Sequence, residues 1–334
     1  MVSYRTILTS LSTLPSSLPS GLKAVFVGAT SGIAQSVLIE FARATVGKSP
    51  TLYIVGRSRQ ASAKLLEELH TINPSATIEF IVQDVSLIQG VDEAVVEIKK
   101  DGLDKIDYLV MAVGFISFEG RKETKEGLEP SMTTRYYSRA RFLHHFIPLL
   151  NASPNPHVLN ILAGGEEGRL NLSDLDLKNP KNYSITNAAV HSATMLTLTL
   201  ERYATSNPKI SFVHSFPGIV ATPTLKKGSS GLLGYVMRWL IAPMASVFGM
   251  SVEESGKRGL FYLTNARYTV DETESLAADI PEGLDKAQRS EGNVFLVGRD
   301  SESVGNQELL ADLRQNTETV WKHTNEVWNA ATSA

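Results

Sequence analysis

The sequence predicts an α/β chain: one doubly wound parallel sheet with helices on both faces, an apolar lid insertion and a C-terminal helix. Three observations carry that expectation. Apolar runs of strand length alternate with helix-period stretches along most of the chain, the pattern of βαβ units. A glycine-rich turn joins the first such run to the first long helical stretch. The composition, 43% hydrophobic and 20% charged, suits a sizeable core rather than a disordered chain.

Residues 1–21 come first. They carry Leu8, Leu11, Leu14 and Leu18, broken by Pro15 and Pro19. They lack the continuous apolar core of a signal peptide and are expected to form an arm leading into the first strand. Residues 22–334 are expected to form one domain. Its strands are expected at Lys23–Val27, Leu52–Val55, Ile78–Val82, Tyr108–Val113, Val158–Leu162, Ile210–Phe216 and Val294–Val297. Helical periodicity covers 33–46, 59–72, 87–100, 127–150, 184–206 and 252–264. Right-handed crossovers between parallel strands then give the doubly wound topology. The stretch 305–330 is polar, with Leu309, Leu310, Leu313, Val320, Trp321 and Trp328 along it, and reads as a last helix packed by one face. No internal repeat or Pro/Gly linker divides the chain.

Charge and composition exclude several classes. The net charge of −3, from 32 basic and 35 acidic residues, offers no field for nucleic acid. The chain has no cysteine, which removes disulfides, thiolate nucleophiles and Cys-ligated metals. Together with the missing signal sequence, this fits a cytoplasmic location. Leu232 to Met250 is mostly apolar, but Arg238 and Pro243 interrupt it. A spanning helix needs about 20 apolar residues, so a protein lid is the better reading. His144, His145 and His214 have no neighbours at metal-ligand spacing, and no metal is expected. A Gly-x-Ser-x-Gly hydrolase elbow is absent.

The turn Gly28-Ala29-Thr30-Ser31-Gly32-Ile33-Ala34 follows the apolar run Ala24–Val27. Gly28 permits a tight turn after the first strand, and Gly32 lets the backbone approach a phosphate. Ser31 and Ile33 stand at the start of a helix whose positive end would face a pyrophosphate. This is a Rossmann-like dinucleotide cradle. The alternative, an ordinary βα turn, is weakened by the strand–turn–helix context. At the end of the second strand, Arg57 stands where an acidic residue would bind the ribose hydroxyls of NAD. With Ser58 beside it, Arg57 offers a planar cation to a 2′-phosphate, so NADP(H) is the expected cofactor; a solvated basic turn is the alternative. After the third strand, the Asp84 carboxylate can accept from the adenine amino group, and it is equally suited to cap the next helix; Val85 follows it.

These motifs resemble the short-chain dehydrogenase/reductase family from about Leu22 to Val297. The matching pieces include the glycine turn, Gly56-Arg57, Asp84-Val85, Gly114 after the fourth strand and Asn160 on the fifth. Pro217-Gly218-Ile219-Val220-Ala221-Thr222 matches the family's Pro-Gly-x-Val-x-Thr. The resemblance implies that Pro217, Gly218, Val220 and Thr222 contact the nicotinamide carboxamide and begin the substrate lid. The texture of the chain resembles a divergent branch from fungal natural-product clusters, implying a role in secondary metabolism.

The chain departs from the family at its catalytic set of Asn, Ser, Tyr and Lys, which relays and donates the proton. An ungapped alignment brings Arg135 to the Asn position and Ala163 to the Ser position. No tyrosine in the sequence has a lysine four residues after it. Counting back from Pro217-Gly218, the pairs in the Tyr/Lys region are Tyr183/Asn187, Ala189/Ala193 and His191/Met195. On a helix, Tyr183, Asn187, His191 and Met195 make one stripe, and Ala189 and Ala193 lie on another face. Spacing leans to the alanine register, which leaves room for a bulky substrate. The polar register would make Tyr183 and His191 the acid/base groups. Tyr136 and Tyr137, beside Arg135, could supply a phenol or simply pack. Tyr183, His191, Arg135 and Tyr137 are thus the candidate catalytic residues. Glu166 and Glu167 read as a solvated turn.

The lid, about 223–250, combines Gly228, Gly231 and Gly234 with apolar residues including Trp239, Met244 and Phe248. Such a wall suits a hydrophobic small-molecule substrate; the alternatives are simple packing on the core or a homodimer contact. The leading expectation is an NADP(H)-dependent oxidoreductase with a non-standard proton source. The alternatives are a redox-neutral isomerase, cyclase or dehydratase on the same fold, where positioning supplies the rate, and a non-catalytic binding protein.

Overall fold

Every expected strand forms, and the seven align in the order β3-β2-β1-β4-β5-β6-β7. The strands are β1 Lys23–Val27, β2 Thr51–Gly56, β3 Thr77–Val82, β4 Tyr108–Met111, β5 His157–Ile161, β6 Ser211–Ser215 and β7 Val294–Val297. All six neighbouring pairs are parallel. This is a computed structural model, and the structure describes residues 1–115, 120–218 and 250–333. The central strands are buried on both faces, so they read as continuous apolar runs. Alternate side chains feed two cores. Val25, Val27, Leu109, Met111 and Val158 enter one; Ala24, Phe26, Tyr108, Val110 and Leu159 enter the other.

One face carries α1 Tyr4–Ser17, α2 Gly32–Ala44, α3 Ala63–Ile72 and α8 Val252–Thr264. The other carries α4 Ile88–Lys99, α5 Pro130–Met132, α6 Ser138–Asn151, α7 Ile185–Ser206, α9 Gln307–Arg314 and α10 Thr317–Ser333. The sheet runs from Lys23 to Val297, and Ile7, Leu14 and Leu18 of the preceding residues pack into the core on one of its faces.

Four elements differ from expectation. The arm is helical: the Ser3 hydroxyl accepts from Thr6 N at 3.0 Å and caps α1, and Ile7 and Leu14 bury one face. Pro15 falls in the last turn of α1, where it interrupts little of the helix. The helix expected from residue 59 starts at Ala63. Before it, the Ser58 hydroxyl accepts from Ala61 N and Ser62 Oγ donates to Ser58 O, local bonds that favour a turn. The helix expected over 127–150 starts at Pro130 and contains a π-helical segment, Thr133–Tyr137, between α5 and α6. The C-terminal helix is two helices, α9 and α10.

Candidate active site

The strand order reverses between β1 and β4, and ligands of such sheets bind beyond the carboxyl ends of the strands at that switch. The glycine turn lies there. Gly28 has φ +80°, and a Cβ on it would come within 2.6 Å of Val113 N, the backbone beyond β4. Only glycine satisfies both conditions. Ser31 is the extended N-cap of α2 and makes no side-chain capping bond, so the first turn of α2 presents backbone N–H groups with no such partner. Ile33 packs partly buried against the α2 face of the core. The methyl of Thr30 lies against Gly56, where an added Cβ would sit 2.7 Å away, which locks the end of β2 to the turn.

Arg57 is exposed and has no partner among the described residues. Its neighbour Arg59 lies over the Phe80 ring at 6.0 Å. Asp84 Oδ1 accepts from the backbone and hydroxyl of Ser86 at 3.0 and 2.8 Å. The capping of α4, one of two roles expected of Asp84, falls instead to Glu126, whose carboxylate accepts from Ile88 N and Gln89 N at 2.7 and 3.0 Å. The carbonyl of buried Val85 accepts from Ser138 Oγ. Pro217 and Gly218 follow β6, with Gly218 at φ +72° against the Arg299 side chain. Val220, Thr222 and the expected lid up to residue 249 lie outside the described residues.

The candidate catalytic groups separate into two sets. In the π-helical segment, Arg135 turns toward Gly114, where a Cβ would lie 3.4 Å from Arg135 Cγ. Its Nε donates to Ser192 Oγ on α7 at 2.9 Å. Tyr183 stands just before α7, whose N-cap is Ser184, so it does not belong to a helical stripe with His191. Burial, followed by the Glu129 carboxylate to which it is hydrogen-bonded, pushes its phenol up to about 12. Tyr183 therefore holds its proton at neutral pH.

The other two candidates are committed to architecture. His191 Nε2 accepts from Asn171 N at 3.1 Å, so its Nδ1 donates to Leu175 O, also at 3.1 Å. Both ring nitrogens thus hold the loop before α7. Tyr137 bonds His323 of α10 at 2.8 Å through its phenol. Its neighbour Tyr136 bonds Thr199 and Thr324.

Several groups escaped the sequence reading. Ser192 lies three residues beyond Ala189 and one before Ala193, hence on the alanine face, and the alanine register could have found it. Arg139 is fully buried and has no carboxylate within ion-pair distance among the described residues. Its guanidinium donates to Met111 O, Val113 O and Ile161 O at 2.9, 2.6 and 3.2 Å, tying the carboxyl ends of β4 and β5. Burial first, and Arg135 second, pushes it down to about 9. Glu167 is not a solvated residue: its side chain is 2% exposed. It accepts from Gly165 N and from Thr197 Oγ1 at 2.7 Å. Thr197 accepts in turn from His214 Nδ1 at 2.8 Å, because His214 Nε2 accepts from Ala163 N. Burial raises Glu167 and pushes His214 down to about 3. This relay fixes the loop after β5. Among the described residues, no cluster could hold a metal, and no helix is long and apolar enough to cross a membrane.

The short chain dehydrogenase family model matches residues 23–232. An NmrA-like family domain-containing oxidoreductase, notO, of Aspergillus sp. (strain MF297-2) is 43% identical, over 95% of this chain and 92% of the relative. An oxidoreductase of Emericella nidulans is 35% identical over 99% of both chains. In structure, the chain resembles L-sorbose reductase from Gluconobacter frateurii, solved with NADPH and L-sorbose. That match has a TM-score of 0.56 at 18% identity and covers 81% of this chain and 99% of the reductase. The chain belongs to the short-chain dehydrogenase/reductase family, with oxidoreductases as its relatives.

Proposed function

We propose that the protein is an NADP(H)-dependent oxidoreductase acting on a hydrophobic small molecule of secondary metabolism, with a proton source other than a Tyr-Lys pair. The glycine cradle carries the reading: Gly28 occupies a position where any Cβ would strike Val113 N, beside a helix start without a side-chain cap. Gly32 opens that helix at φ +69°, which suits close approach of a phosphate. Arg57 and Ser58 would hold a 2′-phosphate, and Asp84 and Val85 the adenine. Gly114, Pro217, Gly218, Val220 and Thr222 would border the nicotinamide. The NADPH-bound L-sorbose reductase of the same fold and the fungal oxidoreductase relatives support the assignment.

NADPH, when bound, supplies hydride. The chain's own residues must then polarise the substrate and deliver a proton. The Arg135 guanidinium, anchored by Ser192, suits polarising an oxygen at the mouth of β4. Tyr183 Oη holds the transferable proton, and Arg139 keeps the β4 and β5 ends in register. General acid help of this kind is worth roughly 10²–10⁴-fold.

The test follows NADPH absorbance with a panel of hydrophobic enones and ketones. Turnover is expected, falling at least tenfold in Tyr183→Phe and Arg135→Met. Product formed without nucleotide would instead support redox-neutral chemistry, which a protonated phenol near a cation also favours. Absence of both would leave the binding-protein reading.

A further inference from the structure

Among the described residues, the carboxyl ends of β4 and β5 carry one buried guanidinium, Arg139, and one half-buried, Arg135, without a carboxylate paired to either. Arg135 and Arg139 both lie against Gly114, where an added Cβ would be 3.4 Å from Arg135 Cγ and 3.7 Å from Arg139 Nη2. Every partner of Arg139 is a neutral oxygen. The partner of Arg135 is a hydroxyl, bonded at Nε, and its two Nη atoms have no partner among the described residues. Neither guanidinium forms an ion pair there. Glu129 is the carboxylate whose field Arg135 senses, but its own oxygens are taken by Met132 N at 2.7 Å and by Tyr183. Burial lowers both guanidiniums from their ordinary value. Beside Arg139, Asn160 Nδ2 is buried without an acceptor.

Buried charge without a partner is costly, and the fork of an arginine matches the two oxygens of a carboxylate. We propose that the Arg135 Nη pair binds an anionic oxygen of the substrate, so that the cleft takes hydrophobic molecules bearing one carboxylate or one enolisable, acidic carbonyl. This names the substrate class of the site and rests on the oxidoreductase reading.

The experiment measures binding to the full-length protein by calorimetry, with and without saturating NADPH. Trans-cinnamate is compared with methyl cinnamate, and the enolate of benzoylacetone with neutral benzylideneacetone. The acid or the enolate should bind at least tenfold more tightly than its neutral analogue, and the stronger of the two identifies the source of the charge. Arg135→Met should abolish the preference, and Arg135→Lys should retain part of it. Equal affinity for the charged and neutral members of both pairs in the wild-type protein would overturn the proposal without recourse to any variant, as would an undiminished preference in Arg135→Met. A failure of NADPH to bind would count against the oxidoreductase reading alone, because the acid preference is also read without nucleotide.

Discussion

Gly28 shows at a single residue how sequence becomes site. A side chain there would have to adopt φ +80° and meet Val113 N at 2.6 Å. Gly28→Ala should destabilise the fold on the order of 1–3 kcal/mol and abolish NADPH binding; urea denaturation and calorimetry check the two effects. Arg57 makes the opposite kind of contribution, since no described residue needs it. Arg57→Ala should leave stability unchanged and weaken NADPH relative to NADH by about 10–100-fold, the worth of a charge-assisted hydrogen bond; competition titration reads the ratio. His214 contributes to acid stability. It is neutral in the fold, pushed down from 6.5 to about 3 by burial, so the unfolded chain binds more protons between those limits. Its contribution is fully present above about 6.5 and is lost as pH falls through that window. Buried His157, also lowered to about 3, acts the same way. Urea midpoints should drop from pH 7 to pH 4.5, and His214→Gln should flatten part of that slope.

At the scale of elements, the π-helical segment and α10 belong together. π segments are uncommon and gather at functional sites. Here the central residue, Arg135, faces Gly114, while its neighbours Tyr136 and Tyr137 are held by Thr324 and His323 at 2.7 and 2.8 Å. Trp328 Nε1 also donates to the Tyr137 carbonyl at 3.2 Å. The C-terminal helix thus braces the turn that aims Arg135. His323→Ala should cost about 1–2 kcal/mol and lower kcat with little effect on NADPH affinity; steady-state kinetics and calorimetry distinguish this from a purely structural loss. The sequence showed a helical period across 127–150, and a single π turn of five residues, Thr133–Tyr137, is too short a departure to stand out within it. The helix in residues 4–17 was hidden by Pro15, which sits too late in it to break it. Glu167 looked solvated because it follows two glycines; its burial depends on Thr197 and His214, 30 and 47 positions downstream.

For the whole molecule, strand content was legible because a parallel sheet covered on both faces must be built from continuous apolar runs. The geometry of the glycine turn was legible because its constraints are local: a positive φ, a close approach and a helix start. Arg135 could be named from the ungapped alignment alone. Arg139, Glu129 and Ser192 were not, because their roles arise only where α6, α7 and the ends of β4 and β5 converge. The family supplies the scaffold, and fold alone does not fix chemistry. The most direct measurement of the central claim is calorimetric titration of the wild-type protein with NADPH and with NADH. Saturable binding of NADPH at least tenfold tighter than that of NADH is expected; no NADPH binding, or tighter NADH, would contradict an NADP(H) cradle at the glycine turn.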